Sequence, residues 1–199
     1  MAKAKPFLMK DFSDRCAYSM QHWRVGGGQR CMEIDHFDPR RKSDAEQNYE
    51  NLFLVHRHCN GAKRDIWPSD SDLRQGIRFL NCCQEWDYGV HIFEDLANGE
   101  VLGETRAGKF HIVACDLNAP HLMEERRERT KKLRNRDRIM TALRDSASRM
   151  SDSENCDLRT LTKEALLRMQ ADLATLIPRI PRASASLRKS SGLYSSKDL

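Results

Sequence analysis

Residues 33–68 read EIDHFDPRRKSDAEQNYENLFLVHRHCNGAKRDIWP, and the punctuation of this stretch decides the fold. Gly26, Gly27 and Gly28 mark a turn just before it, and Arg30 to Ile34 follows as a strand that delivers Asp35 and His36. Pro39 cannot donate to a ladder, so the chain leaves sheet geometry there and enters a long polar loop. Asn51 opens Leu52-Phe53-Leu54-Val55, an apolar run of strand length. Cys59 to Ile66 then reads as a helix, stopped by Trp67 and Pro68. Gly61 weakens that helix by about 1 kcal/mol against alanine. Asn60 and Lys63 stand three apart and share one of its faces.

The residue types within this frame point to hydrolysis. Asp35 can hold a divalent cation, His36 can take a proton from water, and Asn60 can complete the metal site. Oxygen donors of Asp and Asn suit a hard ion that keeps several waters, so Mg²⁺ or Mn²⁺ is expected. One geometric demand follows. Neighbours 35 and 36 in a regular strand point to opposite faces, so the backbone is expected to bulge or exit there for both to serve one site. Taken singly, each residue has a plain reading as a surface pair, a turn amide or a helix cap. The order and spacing of the set is what favours catalysis.

The same residues resemble the HNH endonucleases, whose signature is Asp-His, a central Asn, then Asn or His followed by Lys. The resemblance covers residues 16–68. It implies a ββα-metal finger with Asp35 and Asn60 as metal ligands, His36 as general base, and Asn51 orienting the loop and the histidine. Lys63, Arg40 and Arg41 are then candidate phosphate or DNA contacts. Many HNH proteins carry two Cys-x-x-Cys pairs, which here read Cys16-Ala-Tyr-Ser19 and His56-Arg-His58-Cys59. Cys16, His56 and Cys59 are candidate ligands of a structural Zn²⁺, with Cys31, His22 or His58 as the fourth. The favoured alternative is that zinc has been lost and packing of Leu52, Leu54 and Trp67 replaces it. EIDHFDP and RHCNGAK are similar to stand-alone prokaryotic HNH proteins of restriction or antiphage-defence settings, which implies DNA as substrate and an ATPase or other defence subunit as a partner.

Beyond residue 70 the pattern changes. Asp70 to Asp72 cap a helix carrying Leu73, Ile77 and Leu80. Val90 to Phe93, Val101 to Leu102 and Phe110 to Val113 read as a small meander, with turns at Asn98-Gly99 and Ala107-Gly108. Asn118 caps a long helix with Pro120 in its first turn and an apolar seam from Leu133 to Met150. A further helix is expected over 162–177. Residues 121–150 hold ten Lys or Arg against five acids, the same surplus as the net +5 of all 199 residues. Such a stripe favours a polyanion; its plain alternative is a solvated helix face.

The expected class is therefore α+β: a ββα-metal (HNH) nuclease core over 1–69, a basic α/β and helical extension with the meander over 70–177, and a flexible tail over 178–199. Seven cysteines at scattered positions fit free or metal-bound thiols of a reducing compartment. No apolar run nears the roughly 20 residues a membrane span needs, so a cytoplasmic location without membrane contact is expected. One catalytic site per chain makes a nick the natural event, and concerted cutting calls for a dimer. The rival reading is a zinc-finger-like module that holds nucleic acid without cutting it.

Overall fold

The computed structural model describes residues 2–44, 48–151, 160, 163–165 and 167–168. Of the helix expected over 162–177, residues 163–165 and 167–168 are described and are helical; the tail at 178–199 lies outside the described residues. Among the described residues, one compact unit ends at Glu125 and a second begins at Arg126.

The first unit opens with α1, Lys5–Asp11, which has a proline in its first turn and buries Leu8. At seven residues it is too short for its apolar spacing to mark it as a helix in the sequence. A 3-10 turn, Gln29–Cys31, leads into β1, Met32–His36. β1 pairs antiparallel with β2, Leu52–His56, in the register Glu33↔Val55, Asp35↔Phe53 and His36↔Leu52. All five residues of β2 are buried, so both faces of this hairpin are covered. α2, Arg57–Lys63, follows at once, with the His56 ring as its N-cap and Arg64 at φ 48 ending it. The expected order of strand, long loop, strand and helix is present, two residues later in the first strand and two earlier in the helix.

The extension departs further from expectation. α3 is only Asp70–Arg74, and its cap is Ser69 in a reciprocal capping box with Asp72. The helix stops because Gly76 takes φ 76, which leaves Ile77 and Leu80 beyond its end. β3, Ile92–Glu94, and β4, Val101–Gly103, form an antiparallel hairpin. The expected third strand over 110–113 is instead part of α4, Arg106–Ala114. Thr105 caps α4 by accepting from the Gly108 N–H, and the buried residues Ala107, Gly108, His111, Ile112 and Ala114 follow helical spacing. Gly108 is not a turn residue but a point of close approach: a Cβ there would stand 2.1 Å from the His91 carbonyl oxygen. The meander is thus a two-stranded hairpin closed by a helix.

Asn118 does not cap the next helix. Its amide clamps β4, accepting from the Val101 N–H at 2.8 Å and donating to the Val101 carbonyl at 2.9 Å. α5 runs Pro120–Ser151. No described helix is long and apolar enough to cross a membrane.

One hydrophobic core joins hairpin and extension, from Leu8 and Phe12 through Phe53, Phe79 and Ile92 to Leu117 and Leu122. Aromatic rings thread it. Phe37 stacks on Phe53 at 4.8 Å, Trp67 stacks on Phe79 at 5.8 Å, and Phe79 meets the His111 ring at 5.8 Å. The extension therefore packs directly on the hairpin that carries the Asp-His pair.

Candidate active site

β1 positions the acidic side of the site. Regular pairing extends through His36, so the bulge expected at Asp35-His36 is not there, and alternation sends the two side chains to opposite faces. The reason lies in Asn51. Its carbonyl accepts from the Phe37 N–H at 2.8 Å, while its amide accepts from the Asp38 N–H at 2.8 Å and donates to the Asp38 carbonyl at 3.1 Å. The ladder is thereby carried two residues past His36, and the chain exits at Asp38. Asn51 itself is buried.

Glu33 and Asp35 share one face of β1, and α2 meets both. Asn60 Nδ2 donates to Glu33 Oε2 at 2.8 Å. Lys63 Nζ lies 2.9 Å from Asp35 Oδ2 and donates to the His36 carbonyl at 3.1 Å. Tyr18 donates its phenol proton to the same Asp35 Oδ2 at 2.6 Å. Burial first, and the charge of Asp35 second, hold the Tyr18 hydroxyl well above its ordinary pKa, so it remains a donor. Asp35 and Asn60 thus each have a different partner.

Lys63 requires a correction. A phosphate contact calls for an accessible ammonium, whereas this side chain is 0% exposed against 8% for Asp35. It lies 5.4 Å from the Phe79 ring. Its work is internal, neutralising a buried carboxylate.

His36 is buried, and its Nε2 has no hydrogen-bond partner among the described residues. Burial, opposed by Asp35 and reinforced by Lys42 and Lys63, lowers its pKa below 6.5. That favours the neutral ring, with a buried nitrogen able to take a proton. Arg40 is exposed but forks onto Asp38 at 3.0 and 2.9 Å and lies 5.0 Å over the Trp67 ring. Its hydrogen bond to Asp38, working against burial, draws that carboxyl below its ordinary pKa. Arg41 is exposed, and Lys42 is ion-paired with Asp65.

The cysteine positions are only partly assembled. Cys16 accepts from the Ser19 N–H at 3.4 Å, and it lies in hydrogen-bond contact with Cys59 and the backbone of His56. Burial opposes a Cys16 thiolate, but those hydrogen bonds prevail and bring it to about 6. The same contact pushes Cys59 well up, so the two share one proton. The His56 ring is engaged elsewhere: Nε2 lies 2.7 Å from the Gly26 carbonyl oxygen, and Nδ1 accepts from the His58 N–H. A Cβ on Gly26 would stand 2.9 Å from that ring, so glycine permits the contact. Of the fourth-ligand candidates, Cys31 donates to the Gly27 carbonyl and His58 lies 3.0 Å from Asp116. The described residues contain no group of three or more His, Cys, Asp or Glu placed to hold a metal ion.

A hairpin ending in Asp-His with a helix laid across it and an amide on that helix is the geometry now in hand. The HNH endonuclease family model matches residues 16–65. That is about a quarter of the chain, and the family is one of phosphodiester hydrolases. Comparison with curated proteins gave no match, and comparison with solved structures gave none. The HNH segment begins at Cys16 and ends at Asp65, so it takes in the hairpin, α2 and the two paired thiols. The oxygens of Asp35, Asn60 and Glu33 are hard donors of the kind a divalent ion takes, while here Asp35 Oδ2 meets Lys63 and Tyr18 and the Asn60 amide donates to Glu33. Glu33 was not singled out in the sequence. The signal that could have found it is the Glu-x-Asp spacing, which places both acids on one strand face.

Proposed function

We propose that the HNH segment makes this chain a metal-dependent endonuclease that nicks or cleaves DNA. The observation that supports this most is the match over residues 16–65 coinciding with a hairpin-helix unit in which the His36 Nε2 is buried and has no hydrogen-bond partner among the described residues. In this reading His36 accepts the proton of the attacking water, which requires β1 to leave its regular pairing at Asp35-His36 when metal and substrate bind, since that pairing turns the two side chains to opposite faces. Its lowered basicity keeps it neutral and ready at pH 7. Asn60 and the acidic face of β1, which carries Glu33 and Asp35, would hold Mg²⁺ or Mn²⁺, which when bound neutralises phosphate charge and favours departure of the 3′ oxygen. Lys63 and Tyr18 fix the Asp35 carboxylate through Oδ2. Asn51 holds the backbone just beyond His36. Arg41, exposed in the adjoining loop, would meet a backbone phosphate, and the basic stretch over 121–150 would add sequence-independent attraction for nucleic acid. The resemblance to stand-alone prokaryotic proteins favours a role in defence against foreign DNA, alongside a partner subunit such as an ATPase.

The test is supercoiled plasmid incubated with the purified chain, with and without Mg²⁺ or Mn²⁺. Metal-dependent conversion to open circle is expected. His36→Ala should lower the rate by about 10²–10⁴-fold, the usual contribution of a general base, while DNA binding is unchanged. Wild-type cutting by that variant would remove His36 from the mechanism.

A further inference from the structure

Resting on the reading above, we propose that Glu33 is a direct ligand of the divalent cation, alongside Asn60. Among the contacts of α2 with the acidic face of β1, those of Lys63 and Asn60 differ in access. Asp35 with Lys63 is closed, at 8% and 0% exposure, and Asp35 Oδ2 already carries both Lys63 and Tyr18. Glu33 with Asn60 is open. The Glu33 side chain is 39% exposed, and it lines, with Asn60, Arg57, His58 and Asp116, an open cavity of about 780 Å³. A cation that must meet both water and a phosphodiester needs the accessible pair.

The spacing fits. The Asn60 amide and Glu33 Oε2 stand 2.8 Å apart. Neighbouring oxygens in an octahedral shell with bonds of about 2.1 Å stand about 3 Å apart. Half a turn of the amide exchanges its nitrogen and oxygen at nearly constant shape, which sets Asn60 Oδ1 beside the carboxylate as a second oxygen donor. A positive group already attends the position: Arg57 Nε lies 3.8 Å from Glu33 Oε1. That guanidinium, on an exposed side chain, is free to turn toward a phosphate once a cation takes its place at the carboxylate.

The experiment is Mn²⁺ titration of the full chain, followed by the electron paramagnetic resonance of free Mn²⁺. Glu33→Gln preserves shape at a half-exposed position and should weaken Mn²⁺ binding by about tenfold or more. Asp116→Asn, which removes one negative charge from the same cavity, should stay within about twofold of wild type, because charge at a distance is screened by solvent. Wild-type affinity in Glu33→Gln, or an equal loss in Asp116→Asn, would overturn the assignment. If Asp35→Asn and Asn60→Ala abolish binding while Glu33→Gln does not, the endonuclease reading stands and this inference alone falls. If the wild-type chain takes up no Mn²⁺, both fall.

Discussion

Lys63 shows how little a residue's type says about its work until its surroundings are known. In sequence it follows Asn60 on a short helix, a natural place for a solvated phosphate contact; in the fold it is sealed against Asp35 and the His36 carbonyl. Removing one partner of a buried ion pair leaves the other charge uncompensated. Lys63→Met should therefore destabilise the chain by about 3–5 kcal/mol. Adding Asp35→Asn should restore part of that loss, since the neutral amide needs no counter-charge. Urea unfolding of the two single variants and the double variant measures the coupling, and strict additivity would refute it. His36 carries a second residue-scale prediction. A general base works in its neutral form, and burial lowers the pKa of this ring below 6.5. Cleavage should be lost as pH falls through that lowered value and should be level above it. An acid limb centred above 6.5 in a pH–rate profile would contradict the assignment.

The elements carry a different lesson. The clamp between Asn51 and Asp38 joins the two ends of the long loop by two hydrogen bonds in a buried setting. Asn51→Ala leaves the Asp38 N–H and carbonyl without those partners and should cost about 1–3 kcal/mol, read as a lower urea midpoint with an unchanged slope. The hairpin and α2 were legible in the sequence because Leu52 to Val55 is a short apolar run opened by a turn residue, Asn51, and of strand length. The segment at Phe110 to Val113 has the same local character, reads as a strand for that reason, and is helical in the fold. What makes it helical is the Thr105 cap and the fit of Gly108 against the His91 carbonyl, a tertiary contact that no local pattern announces. The site was legible in the same measure. Its residue types could be named from spacing, but the pairing of Asn60 with Glu33 and of Lys63 with Asp35 depends on how α2 docks across the pleat. Docking of that kind is fixed by side chains far away in sequence.

At the scale of the first compact unit, the aromatic thread from Phe37 through Phe79 to His111 means that hairpin and extension share one core and are expected to unfold together. His111 is the titratable member of that thread. It is buried, its Nδ1 accepts from the Leu80 N–H at 3.2 Å, and Tyr18 packs against its ring at 5.3 Å. Burial, with the nearby Lys63 charge assisting and Glu85 opposing, lowers its pKa from 6.5 to about 3. The unfolded chain therefore binds a proton between about pH 6.5 and pH 3 that the folded chain refuses. Stability from this group is complete above 6.5 and is lost as pH falls, by about 1.4 kcal/mol for each pH unit inside that window. His22 and His36 are also lowered and add a slope of the same sign, so wild type must be compared with a variant that keeps them. His111→Gln retains an acceptor for the Leu80 N–H and removes the titration. Thermal unfolding from pH 7 to pH 5 should show a steep loss in wild type and a slope shallower by about one proton in the variant. Parallel slopes in the two proteins would mean that His111 takes up its proton in the folded state, and that the junction between extension and hairpin is wet.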